Sequence, residues 1–240
     1  MKEFFSELKQ KIVFDFSKKE TVSNRVKEIA GYVHNLFEHD GATIPKSLSP
    51  FDIVEAAKNG ASMRCVEYSF LLAALLWAYD IPARVVGLKK KTMETDTEAA
   101  GHVVVEFWDR DHNKWVMCDP QAGVIPFANL TPLSAYELDQ EIVRGAIISY
   151  EKVLNARFYD EHSIDYTNWV KDYLFYFDTA IDQNYLITNE ERLVERKLML
   201  IPEDVPEPKI FQGKFPINAV YTKSANDFYK RPDIVHTSAW

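Results

Sequence analysis

Apolar positions recur along the chain with two periods, and the period changes where the elements change. Phe4, Phe5, Leu8, Ile12 and Val13 recur at helical spacing and predict a short amphipathic helix near the start. Val26, Ile29, Ala30, Val33, Leu36 and Phe37 predict a second helix, with Ser23 or Asn24 as its cap and Asp40-Gly41 as its stop. Ser49-Pro50-Phe51-Asp52 opens a third, short helix that Lys58-Asn59-Gly60 closes. The stretch from Val66 to Tyr79 is apolar almost all round, so this helix is expected to be buried on most sides. Asp80-Ile81-Pro82 ends it.

Beyond Pro82 the pattern turns to strands. Ala83–Leu88 reads as one. Residues 89–101 are polar and charged, a surface loop and a candidate lid. His102–Trp108 and Lys114–Asp119 form a predicted hairpin about the turn residues Asp109–Asn113. With Trp108 facing Asn113, His102 falls opposite Asp119, Val104 opposite Met117 and Glu106 opposite Trp115, all on one face. Val103, Val105, Phe107 and Cys118 fall on the other. Ser134-Ala135-Tyr136-Glu137 is a capping box for a helix that Gly145 ends. Trp169, Val170, Tyr173, Leu174 and Phe177 predict one further amphipathic helix whose aromatic residues belong to the core. Strands are expected at Leu198–Ile201 and Phe215–Tyr221.

Composition narrows this picture. Of 240 residues 47% are hydrophobic, enough for a sizeable core, and the net charge of −8 argues against nucleic acid or an acidic membrane as partner. Two cysteines, Cys65 and Cys118, cannot build a disulfide framework. The N-terminal stretch has acidic residues and no continuous apolar run, so no signal peptide is expected, and the longest apolar run is too short to span a bilayer. The expected location is cytoplasmic. His34, His39 and Asp40 raise the question of a metal. The five-residue spacing of the histidines does not put them on one helical face, so no metal or cofactor is expected.

Three residues carry candidate chemistry. Cys65 stands where the buried helix begins, where unpaired N–H groups and the positive helix end favour thiolate. The hairpin pairs His102 with Asp119, and a carboxylate on one ring nitrogen leaves the other as a base. Nucleophile, base and orienting carboxylate are the roles that thiol acyl transfer requires. Cys118 points to the other face and reads as a core thiol. Glu67, in the first helical turn, needs a partner if buried, with Arg84 or Arg64 as candidates. The Cys65 backbone N–H is the expected first oxyanion donor, and Asn59, six residues upstream, is a candidate second donor that could equally be ending its helix.

These blocks resemble the transglutaminase-like superfamily. Cys65-Val66-Glu67-Tyr68-Ser69, continuing through Ile81-Pro82-Ala83-Arg84-Val85-Val86-Gly87, is similar to its cysteine helix and following strand. Gly101–Trp108 is similar to its histidine strand, and Trp115–Pro120 to its aspartate strand. The resemblance implies an α+β, papain-like core with a nucleophile helix packed on an antiparallel sheet. It assigns Cys65 as nucleophile, His102 as general base and acid, and Asp119 as orienter. The catalytic core is expected over residues 1–150, with residues 151–240 a C-terminal extension packed on it. The implied activity is a cysteine-dependent amide-bond hydrolase or acyltransferase acting on a peptide or amide substrate through a thioester. Two other readings compete: an idle copy of the fold serving as a binding module, and an arylamine N-acetyltransferase-like enzyme. The resemblance's cross-linking members of animal type are large and calcium-dependent, with extra domains, so protein cross-linking is not the activity expected of these 240 residues.

Overall fold

The structure is a computed structural model that describes residues 2–17, 20–41, 43–156, 163–182 and 196–232. Its centre is a helix, α4 (Cys65–Ala78), on which α1 (Lys2–Lys11), α2 (Val22–Leu36) and α3 (Pro50–Lys58) pack. The all-round apolar pattern has the expected consequence: Leu71, Leu72, Leu75 and Leu76 are wholly buried. Each such side chain contributes about 1.5–3 kcal/mol. The cap of α2 is Thr21, whose hydroxyl accepts the Asn24 N–H, and not Ser23 or Asn24.

The other face of α4 lies on a six-stranded sheet. Its strands are β1 (Ala83–Lys89), β2 (Gly101–Asp109), β3 (Lys114–Cys118), β7 (Tyr176–Ala180), β8 (Lys197–Leu200) and β11 (Ala219–Thr222), ordered β11-β8-β7-β1-β2-β3. All neighbours are antiparallel except β8 and β11. The opposite sheet face carries a second core, built with α5 (Ala135–Val143), α6 (Ser163–Val170) and β4 (Val124–Ala128). The strand β4 pairs with β5 (Thr131–Pro132) and β6 (Ile148–Lys152) in a small sheet. Two short strands, β9 (Ile210–Phe211) and β10 (Phe215–Pro216), make a hairpin, and the one-turn helix α7 (Ala225–Phe228) is the last described element. Mixed helices and a mainly antiparallel sheet bear out the α+β class.

The hairpin register differs from the expected one by two residues. Trp108 opposes Trp115, Glu106 opposes Met117 and Val105 opposes Cys118. The cause is in the turn. Asp109 accepts the Asp111 N–H through Oδ1 and the His112 ring N–H through Oδ2, and Asn113 adopts a left-handed φ of 51°. Asn113 is therefore turn and not strand. Side chains alternate with period two, so a two-residue shift keeps every side chain on its predicted face. His102 and Asp119 are diagonal neighbours rather than directly opposed.

Two further expectations change. The stretch from Trp169 to Phe177 is not one helix. It comprises the end of α6, a 3₁₀ turn at Lys171–Tyr173, and the start of β7, where Phe177 pairs with Leu88 and Leu200. The expected strand from Phe215 to Tyr221 is split between β10 and β11. The segment between β1 and β2 is also held more firmly than its polarity suggests. Met93 is wholly buried, its carbonyl accepts the Gln212 N–H, and Glu94 accepts the Lys209 N–H.

The C-terminal segment is clamped to β1 and β2. Arg84 donates to Glu106 at 2.7 and 2.9 Å and to the Phe228 carbonyl at 2.8 Å. Its guanidinium lies against the rings of Trp115, Phe228 and Tyr229. Glu106 also accepts the Ala135 N–H and the Tyr229 hydroxyl. Every lone pair of this buried carboxylate thus faces a donor, which burial of a charge demands.

Candidate active site

The start of α4 is fixed by its own first turn. Arg64 is the cap residue, in extended conformation, and Cys65 is the first helical residue. Glu67, wholly buried, turns back to accept the Arg64 backbone N–H at 2.9 Å and the Arg64 guanidinium at 2.5 and 3.2 Å. Of the two candidate partners Arg64 is the one Glu67 uses, since Arg84 is committed to Glu106. The segment before Cys65 is held by residues 38–41: Met63 donates to the Glu38 carbonyl, and Gly41 donates to that of Met63.

One turn along the helix, the Ser69 hydroxyl donates to the Val103 carbonyl at 2.8 Å. Ser69 follows Cys65 by four residues and so shares its face of the helix. Val103 directly follows His102. This bond therefore sets the height of Cys65 against His102. Cys65 is partly exposed and carries a free thiol.

His102 is the second residue of β2 and is 3% exposed. Its Nε2–H donates to Asp119 Oδ2 at 2.7 Å, which leaves Nδ1 as the ring nitrogen for Cys65. Burial favours the neutral ring. The Asp119 charge and hydrogen bond outweigh burial, interactions with Cys65 add to them, and the imidazole is pushed up to about 10. Asp119 follows β3 directly. Burial would raise its carboxyl, but His102, the Ala122 N–H and Tyr166 together hold it below the ordinary range. Its Oδ1 accepts the Gln121 and Ala122 N–H groups, both at 3.0 Å. The turn closes at Gly123, φ 72°, whose N–H and that of Val124 both reach the Asp119 carbonyl.

Cys65, His102 and Asp119 are thus brought together. Asn59 is not joined to them. It is the exposed C-cap of α3, and its backbone N–H closes that helix. Cys118 is wholly buried in the core that holds α4, where burial and then Asp119 push its thiol well above the ordinary range.

Sequence reasoning misses three residues around the site. The Tyr166 hydroxyl donates to Asp119 Oδ2 at 2.8 Å. Trp169, expected in the core, is 39% exposed and sits edge-on to the His102 ring at 4.8 Å. His34 is buried in α2, and its Nδ1–H donates to the Pro120 carbonyl at 3.0 Å, bracing the Asp119 turn. The sequence signals were an aromatic pair at three-residue spacing on α6 and, for His34, its place beside His39 and Asp40, which pointed to a metal and not to this turn.

Among the described residues no group of three or more His, Cys, Asp or Glu could hold a metal ion. Nor is any described helix long and apolar enough to cross a membrane.

Residues 10–120 match the family model of the transglutaminase-like superfamily. No curated protein matches the chain. Among solved structures, a candidate cysteine protease from Cytophaga hutchinsonii is similar at 19% identity and TM-score 0.37, over 65% of this chain and 45% of its own. The chain thus spans less than half the length of that protein.

Proposed function

We propose that the chain is a cysteine-dependent amide-bond hydrolase or acyltransferase that works through a thioester on Cys65. The observation that carries the reading is the buried His102–Asp119 pair, held protonated against Cys65 at the start of α4. The Cys65 thiolate attacks the amide carbonyl and forms the C–S bond. As the C–N bond breaks, imidazolium His102 passes its proton to the leaving amine. Water or an amine then attacks the thioester, His102 takes up its proton, and the thiolate leaves. The first oxyanion donor is the Cys65 backbone N–H, a first-turn group that helix geometry leaves without an intrahelical acceptor. Such a donor is worth about 3–4 kcal/mol in the transition state. The intact triad favours this over an idle binding module.

The test is mass spectrometry of the chain after exposure to a peptide-amide library and to p-nitrophenyl acetate. An acyl mass on the Cys65 peptide, absent from Cys65→Ala, is expected. Failure of every acyl donor to label Cys65 would sink the reading.

A further inference from the structure

Asp119 Oδ2 lies between two donors, the His102 ring N–H at 2.7 Å and the Tyr166 hydroxyl at 2.8 Å. Its other oxygen is occupied by the turn. The phenol is not aimed by Asp119 alone. Tyr166 is 8% exposed, and its ring meets Tyr150 edge-on at 5.1 Å and Trp169 at 5.7 Å. The Tyr150 hydroxyl is hydrogen-bonded to Thr167 Oγ1 at 2.7 Å, tying β6 to α6 next to Tyr166. Packing of α6 therefore brings a neutral donor to the same oxygen that holds the histidine. A donor to a carboxylate stabilises its charge and weakens it as a base. Histidine that must release a proton in every turnover gains from a weaker grip.

We propose that Tyr166 is a positioning residue: it holds Asp119 Oδ2 against His102 and limits how tightly that carboxylate retains the imidazole proton. The proposal rests on the acyl-transfer reading of Cys65, His102 and Asp119. Besides Tyr166 on α6, the titratable groups facing the pair are Cys65 on α4, His39 after α2, and Cys118 on β3, with Tyr173 6.1 Å from the His102 ring. Of these, Tyr166 is the neutral donor bonded to the shared oxygen. Tyr166 lies outside the stretch that matches the family model.

Tyr166→Phe keeps the ring packing and removes the hydroxyl. The His102 titration, followed by NMR of the labelled imidazole, is expected to move up by about half a unit to one unit, a three- to tenfold change in proton affinity. Turnover of an amide, whose leaving amine needs that proton, should fall by a similar factor. Acylation by p-nitrophenyl acetate, whose leaving group needs none, should hold. Tyr150→Phe should leave the titration in place. An unmoved or lowered titration in Tyr166→Phe overturns the proposal, as does an equal loss on amide and ester. If that variant fails to fold, 3-fluorotyrosine at 166, a stronger donor, must lower the His102 titration, and an unmoved or raised value is equally fatal. NMR reads this without turnover, so an absent acyl adduct on Cys65 counts against the acyl-transfer reading alone.

Discussion

Asp119→Asn keeps the shape of the orienting side chain and removes its charge. In the native protein His102 stays protonated to about 10 although burial opposes it, and the ordinary value is 6.5. That gap corresponds to something on the order of 5 kcal/mol in favour of imidazolium. Without the Asp119 charge the opposing burial prevails, so His102 should titrate below its ordinary value. At pH 8.5 the protonated ring would then fall by about a hundredfold. NMR of the labelled imidazole reads the first effect, and the rate of Cys65 alkylation at pH 8.5 reads the loss of the charged partner.

Stability follows the same two groups. The folded His102 value is raised, so its contribution is complete below about 6.5 and is lost as pH rises through about 10. The Asp119 value is depressed below 3.8, so its contribution is present above that value and fades as pH falls through the folded value. The variant should therefore be weakest relative to the native chain between these limits, by about 3–5 kcal/mol in denaturant unfolding. The deficit should shrink above pH 10, where His102 is neutral in both proteins. A variant whose His102 still titrated near 10 would refute the reasoning, because another group would then be holding the proton.

Two further predictions concern the frame around the site. A Cβ on Gly31 would lie 2.2 Å from the Leu154 carbonyl oxygen, where α2 meets the chain after β6, so Gly31→Ala should cost about 3 kcal/mol and lower Tm by roughly 6–12 °C. A circular-dichroism melt within a degree of the native one would disprove that contact. Burial would raise the Asp178 carboxyl, but Lys197 and then Lys89 hold it down to about 2. Its stabilisation is thus present above about 3.8 and lost as pH falls through about 2, so Asp178→Asn should be destabilised by about 2–3 kcal/mol at pH 6 and by about 1 kcal/mol at pH 2.5 in urea unfolding. A pH-independent deficit would show that the charge is not the cause.

Much of the site was legible in the chain, for a physical reason. A helix apolar on all sides must be buried, so the position of Cys65 at its start follows from pattern alone. Strand parity is equally robust: the hairpin shifts by two residues, yet His102 and Asp119 keep a common face because side chains alternate with period two. What was not legible depends on contacts far along the chain. Tyr166 meets Asp119 across 47 positions and His34 meets Pro120 across 86. No local period encodes such pairs. Trp169 was misread because aromatic residues at helical spacing look the same whether they face a core or the His102 ring. Phe177 continued that spacing by coincidence, after the helix had given way to a strand.

The position of the family match has a consequence for how the site is built. The matching stretch ends at residue 120, one position past Asp119. It holds Cys65, His102 and Asp119 but little of what fixes the aspartate. The N–H groups of Gln121 and Ala122, the left-handed Gly123 and the Tyr166 hydroxyl all lie beyond it. So does β7, which covers the edge of β1 and takes Leu88 as the partner of Phe177. Leu88 in turn opposes His102 on β2. A carboxylate stripped of these donors would lose the hydrogen bonds that keep it ionised while buried, and with them its hold on the imidazole. Cys65, His102 and Asp119 and the groups that set the proton affinities of the pair therefore come from different parts of the chain.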